Sequence, residues 1–309
     1  MKHNRPPIYF LHIPKTAGSS LSKIIRCAYP EELIMPAYEI PDLLKKNRGE
    51  INQYKCFTGH FGTGLFSLLD HTIPCITMLR DPFERAVSAI HFARKIFRSS
   101  GIPDLSNERK SFLVEKGIVR AEDIPEFNHK MEQLLLKGDL REMVQNPWFS
   151  RVIENRQTLY LGYDVDLNNS TDCPDSMLNW SRQTVTSLEF FFVDKLMCGF
   201  DVGKIVDNAK KRLDEMKVVG IVEQFDDSIR LICDVLEFKR PKASPRENVS
   251  SEKLSLQALT YRESGEIPAD VIKRIDELTA IDREIYEYGK TVFARQLKSR
   301  TRRFFGFLN

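Results

Sequence analysis

Lys15, Thr16, Gly18, Ser19 and Ser20 crowd into the short stretch IPKTAGSS. An ammonium, hydroxyls and a glycine in that spacing suit an oxyanion, because free backbone N–H groups at a helix start bind phosphate and a nearby lysine adds a point charge. Gly18 lets the backbone approach such a ligand closely. The alternative is that Ser19 or Ser20 caps a helix while Lys15 stays in water. A Walker A loop, G-x-x-x-x-G-K-[ST], sets its glycines ahead of the lysine; in this chain the lysine leads and only Gly18 follows. A second group sits in LRDPFERAVS, where Arg80 and Ser88 are eight residues apart and Arg85 shares a helical face with Ser88. An arginine fork and a hydroxyl converging in this way suit a second phosphate, and the alternative is an ion pair of Arg80 or Arg85 with Asp81 or Glu84. Between the two lies KCFTGHFGTGLF. His60, beside Gly59 at the end of an apolar run, is expected to be accessible and to titrate near neutrality, as a general base must. The alternative for His60 is a loop histidine bonded to backbone. His12 and His91 read as packing or lining residues, with His91 able to face an acceptor.

Those residues need elements to carry them. Ile8 to Ile13 reads as a short buried strand, and Ser20 to Ala28 as a helix with Leu21, Ile24 and Ile25 on one side. Cys75 to Leu79 reads as another strand, Asp81-Pro82 as its break, and Phe83 to Ala93 as the following helix. Residues 97–150 change character and predict a helical insertion that covers the cleft and shapes acceptor choice. The spacing predicts an amphipathic helix over Asp201–Glu215 and one long helix from Pro268 to about Lys298, whose stripe of Val271, Ile275, Leu278, Ile281, Ile285, Tyr288 and Val292 is core. Strands alternating with helices predict an α/β fold with a mainly parallel sheet, helices on both faces, and ligands beyond the carboxyl ends of the strands.

The chain has 309 residues, 42% hydrophobic and 29% charged, enough for one large α/β domain or a domain with an insertion. No run approaches the roughly 18 apolar residues of a membrane span, and no signal-like segment precedes the first strand. The six cysteines lack paired metal spacing and several lie in apolar runs, which predicts buried, reduced thiols and no metal site. A net charge of +3 makes no demand for nucleic acid. Basic residues cluster at KRPK and KSRTRRFF, either as solvated helix ends or as contacts for an acidic polymer or membrane surface.

The two motifs in this order resemble the nucleotide-binding signature of the sulfotransferases that use 3′-phosphoadenosine-5′-phosphosulfate (PAPS). The resemblance is closest to the branch holding the uronosyl 2-O-sulfotransferases of heparan and dermatan and their bacterial relatives. It implies a P-loop-containing nucleotide-hydrolase-like three-layer sandwich with a central parallel sheet and a helical insertion, spanning residues 1–309 as a single domain. It further implies that Lys15, Thr16, Ala17, Gly18, Ser19 and Ser20 cradle the 5′-phosphosulfate, that Arg80 and Ser88 hold the 3′-phosphate, and that His60 is the catalytic base with Lys15 assisting the leaving group. ENRQTLYLGY is similar to an N-x-Q-T-x-x-L-x-G stretch of bacterial members, and VVGIVEQF to a short strand followed by an acidic residue, leaving the role of Glu223 open. Residues 239–252 correspond to a nucleotide-covering loop in which Arg246, Asn248 and Ser250 touch adenine or the 3′-phosphate. The implied co-substrate is PAPS, the product is 3′-phosphoadenosine-5′-phosphate (PAP), and no metal is required. The implied acceptor is a carbohydrate hydroxyl on a polysaccharide or glycolipid, with a small metabolite or peptide tyrosine as alternatives. Golgi relatives carry an N-terminal anchor, so this sequence is expected to be a cytoplasmic, bacterial enzyme. A P-loop-type nucleotide kinase using magnesium-ATP and a catalytically silent nucleotide-binding protein are the readings from other classes.

Overall fold

The computed structural model describes residues 5–100, 111, 114–115, 120–168, 201–241 and 261–305. The strands are β1 (Ile8–Leu11), β2 (Cys56–Gly59), β3 (Cys75–Leu79) and β4 (Val218–Ile221), all parallel, in the order β2-β1-β3-β4. Their near-continuous apolar composition fits a sheet buried on both faces. Leu11 lies opposite Gly59 on one side and Thr77 on the other, so the first three strands end along one edge. The chain leaves β1 toward β2 and leaves β3 toward β4, on opposite sides. The topological switch point therefore lies between β1 and β3, where α/β sheets open a crevice at their carboxyl ends.

β1 stops at Leu11, short of the predicted Ile13, because His12 already begins the turn that reaches a left-handed backbone at Lys15 (φ 71°). The helix after it, α1 (Gly18–Arg26), starts earlier than predicted. Helices α2 (Ile40–Leu43), α3 (Arg48–Ile51) and α4 (Gly64–Leu68) are short connectors. α5 (Pro82–Ser100) follows β3 directly, longer than predicted. Asp81 accepts from the Glu84 amide at 3.1 Å as its cap, and Pro82 occupies the first turn, where a missing N–H costs nothing. The insertion is helical: α6 (Ile124–Leu136), α7 (Leu140–Gln145) and α8 (Pro147–Ile153). With α5 and the helix near residue 275 it builds a second apolar cluster around Phe83, Ile90, Met143, Phe149 and Ile275.

After α9 (Arg156–Gly162), α10 (Val202–Glu215) matches its predicted span to within a residue, and α11 (Phe225–Val235) follows β4. The predicted single C-terminal helix is instead two, α12 (Ala269–Leu278) and α13 (Ala280–Phe305), broken at Thr279 (φ −116°, ψ 20°). Asn155, far away in sequence, causes the break. Its Oδ1 accepts from the amides of Ile281 and Asp282, both at 3.1 Å, and so supplies an N-terminal cap where local sequence offers continuous helical periodicity. Val271, Ile275, Leu278, Ile285 and Val292 are buried, so the apolar stripe does form core. Among the described residues no helix is long and apolar enough to cross a membrane. Cys56 and Cys233 are buried free thiols, Cys75 is half-buried and Cys27 is exposed; Cys173 and Cys198 lie outside the described residues.

Asp282 completes the exchange begun by Asn155. Its fully buried carboxylate accepts from the Thr158 amide at 2.7 Å, the Thr158 hydroxyl at 2.8 Å and the Gln157 amide at 3.1 Å, with the positive charge of Arg85 nearby. Replacing it strands the buried donors of Gln157 and Thr158 and removes a negative charge from beside that arginine. Asp282→Ala is expected to cost about 3–5 kcal/mol, read from the urea unfolding midpoint at constant slope. A loss below about 1 kcal/mol, the scale of an exposed pair, would contradict this role for the buried network.

Candidate anion-binding and proton-transfer site

The loop from His12 to Ala17 holds two non-glycine residues, Lys15 and Ala17, at positive φ (71° and 59°), a conformation that costs on the order of 1 kcal/mol each and collects at functional sites. Thr16 is wholly buried, and its hydroxyl donates to the Ile13 carbonyl at 2.8 Å, so that proton closes the turn. Ser19 is exposed and Ser20 is buried. Ala17 occupies the cap position of α1, and among the described residues no side chain caps this helix and no acidic residue sits in its first turn. Ser19 and Ser20 lie inside α1, past the cap position, and the positive end of the helix is suited to an anion. Gly18 has a reason the sequence did not suggest: a Cβ there would lie 1.7 Å from His12 Nε2. The glycine admits the imidazole of His12. Lys15 Nζ stands 4.0 Å over the ring of Phe92, which rises from α5 with 43% of its surface exposed.

Arg80 joins the second motif to this loop. Its Nη1 donates to the Lys15 carbonyl at 3.3 Å, while Nη2 is 3.7 Å from Glu84 Oε2. The second distance exceeds a hydrogen bond, so Glu84 balances the charge without occupying the guanidinium fork. The backbone of Arg80 is gripped on both sides by one amide: its N–H donates to Gln157 Oε1 and its carbonyl accepts from Gln157 Nε2, each at 2.9 Å. Glu223, whose role the sequence left open, accepts from the Asp81 amide at 3.0 Å and from the Tyr286 hydroxyl at 2.8 Å, and Arg283 pairs with the Asp81 carboxylate. The N-x-Q-T stretch and Glu223 thus act on the β3–α5 turn. Ser88 is half-buried two turns into α5, one turn beyond Glu84 on the same face of that helix. Arg85 does not join them: it is fully buried and donates to the Ile153 carbonyl at 2.9 Å. Arg246, Asn248 and Ser250, and the covering loop from residue 242 onward, lie outside the described residues.

His60 closes the β2 end of the same edge. Its amide donates to the Tyr38 carbonyl at 2.9 Å, and its Nδ1 lies 2.8 Å from the His12 carbonyl. A carbonyl oxygen only accepts, so Nδ1 carries the proton and Nε2 keeps its lone pair. The expectation of an accessible histidine titrating near neutrality is corrected: His60 is 7% exposed, and its pKa is pushed down from the ordinary 6.5 to about 4. Burial is the main cause, partly offset by the bond to His12, with the Lys15 charge adding to the depression. His12 is pushed well below its ordinary value by burial first, then by His60 and Lys15. Both imidazoles are neutral at pH 7.

The chain matches no protein-family model and no curated protein. Its chemistry therefore rests on the geometry. Farther along α5, His91, Arg94, Lys95 and Arg98 line an open cavity of about 500 Å³, and His91 stacks on Tyr261 with ring centroids 5.2 Å apart. This concentration of positive charge was not singled out from the sequence, although its helical spacing was there to be read. Among the described residues no cluster of His, Cys, Asp or Glu is arranged to hold a metal.

The depressed imidazole values carry a sign for stability. Between pH 6.5 and about 4 the unfolded chain binds protons that the folded His60 refuses. Its stabilising share is therefore complete above 6.5 and is lost as pH falls through that window, at up to about 1.4 kcal/mol per pH unit. His60→Gln is expected to flatten the acid limb of a stability–pH curve measured by urea unfolding. Parallel acid limbs in the two proteins would refute burial as the source of the depression.

Proposed function

We propose that this protein is a sulfotransferase moving a sulfuryl group from PAPS to an acceptor hydroxyl, built on a three-layer fold of the P-loop nucleotide-hydrolase class. The observation that carries the reading is the bond from Arg80 to the Lys15 carbonyl, which brings the two anion-binding motifs together beyond β1 and β3, at the switch point. The start of α1, where alanine holds the cap position, the strained loop and two cations fit a bisphosphorylated nucleotide. In this reading the loop from Lys15 to Ser20 holds the 5′-phosphosulfate, and Arg80 with Ser88 holds the 3′-phosphate. His60 Nε2 takes the proton of the acceptor hydroxyl as that oxygen bonds to sulfur. The bond from sulfur to the bridging oxygen of PAP breaks, and the Lys15 ammonium neutralises the charge left on that oxygen. Thr16 contributes loop shape, because its hydroxyl proton is engaged with Ile13. The acceptor is a carbohydrate hydroxyl on a polysaccharide or glycolipid. The basic cavity on α5 favours one that carries negative charge.

Calorimetric titration tests the nucleotide site. In the presence of EDTA, PAP is expected to bind while AMP binds at least about tenfold more weakly, since AMP lacks the 3′-phosphate and with it a charge-assisted arginine contact worth about 1.5–3 kcal/mol. A preference for magnesium-ATP would point to a kinase instead. Arg80→Ala is expected to weaken PAP by about 10–100-fold. His60→Ala should leave PAP affinity near wild type and lower turnover of acceptor by about 10²–10⁴-fold. PAP binding with no transfer to any acceptor would favour a silent nucleotide-binding protein.

A further inference from the structure

We infer that Tyr38 and His12 are positioning residues for His60, holding its imidazole in the one tautomer and orientation that presents an Nε2 lone pair. As a contribution to turnover this rests on the base role of His60 proposed above; as a statement about the imidazole it stands alone. Tyr38 lies in no regular element, but its segment is fastened alongside β2, through the bridge from Ile34 to Cys56 and the bond from the Met35 amide to the Cys56 carbonyl at 2.9 Å. Gly59 completes that fit. A Cβ there would approach the Tyr38 carbonyl to 2.8 Å, and this carbonyl is the acceptor of the His60 amide.

The hydroxyl of Tyr38 turns inward to His12 Nδ1 at 2.8 Å, although 40% of the residue's surface is exposed. His12 is thereby held at three points. Its Nδ1 meets Tyr38, its ring lies against Phe10 with centroids 5.2 Å apart, and its Nε2 edge occupies the space that a side chain at Gly18 would need. Its backbone carbonyl, directly after β1, accepts from His60 Nδ1 at 2.8 Å. The His60 ring is flanked by the His12 ring at 4.3 Å and by the edge of Tyr38 at 4.8 Å, so contacts from the same residues that orient it also limit its rotation. An imidazole whose second nitrogen is tied to a fixed acceptor has its tautomer decided by that bond. His12 also touches the first residue of α1, which makes it the physical link between the anion loop and the base.

The test uses the full-length protein and the Tyr38→Phe variant, which keeps the ring and removes only the hydroxyl. Tyr29→Phe is the control, since the Tyr29 hydroxyl donates to a backbone carbonyl, that of Pro6 at 2.8 Å, outside this cluster. Long-range proton–nitrogen NMR of the histidine rings is expected to show His60 as the Nδ1-protonated tautomer in wild type and Tyr29→Phe, and as a mixture in Tyr38→Phe. With PAPS and an acceptor, Tyr38→Phe should lower kcat about tenfold while the KM for PAPS and the affinity for PAP stay near wild type. A wild-type tautomer in Tyr38→Phe overturns the proposal without need of any acceptor, and so does a wild-type kcat in a variant whose parent depends on His60. If His60→Ala retains turnover, the base reading fails, and the tautomer measurement still decides whether Tyr38 and His12 position that ring.

Discussion

A carboxylate with no exposure to water must be met by donors, and Asp282 is such a group. Desolvation pushes its pKa up, and the amides and hydroxyl at the start of α9, with the charge of Arg85, pull the other way. Satisfying it docks α9 against α13 and fixes where Gln157 stands. Gln157 then holds both the N–H and the carbonyl of Arg80, and Glu223 holds the next amide. Each bond is modest alone, on the order of 1 kcal/mol, but together they remove the freedom of a strand-to-helix turn that carries the guanidinium. The docking of α9 against α13 and the placement of the Arg80 backbone follow from one buried charge.

At the other end of the edge, positions are set mainly by backbone carbonyls. Arg80 donates to Lys15, and His60 to both Tyr38 and His12, through carbonyl oxygens that do not titrate. This arrangement keeps its geometry while protons move on the side chains. It also explains how an imidazole can be so buried: its Nδ1 is satisfied by the His12 carbonyl, and the desolvation that lowers its pKa keeps the ring neutral at pH 7.

Much of the scaffold was legible in the residues. Cys75–Leu79 is legible as an apolar run, the helix ending at Glu215 from its periodicity, and Asp81-Pro82 as the break between strand and helix. Those features depend on neighbours within a turn or a strand. The misreadings have the opposite character. Asn155 breaks a helix more than a hundred residues away, Arg85 is drawn to the Ile153 carbonyl, and His60 is enclosed by Tyr38 and His12. Glycines beside a histidine predict access; in the folded chain one of them serves to bring a carbonyl closer.

Composition and local pattern determined an α/β chain with an anion-suited turn after its first strand, an arginine at the tip of another, and a histidine between them. They did so because hydrophobic period, capping and turn chemistry act over a few residues. Tertiary structure decided which of those groups meet, which arginine faces the crevice, and how much water each titratable group keeps. Strand order places β1 beside β3, and burial pushes the His60 imidazole down from its ordinary 6.5 to about 4. Neither is a property of any local stretch, since both depend on contacts between residues far apart in the chain.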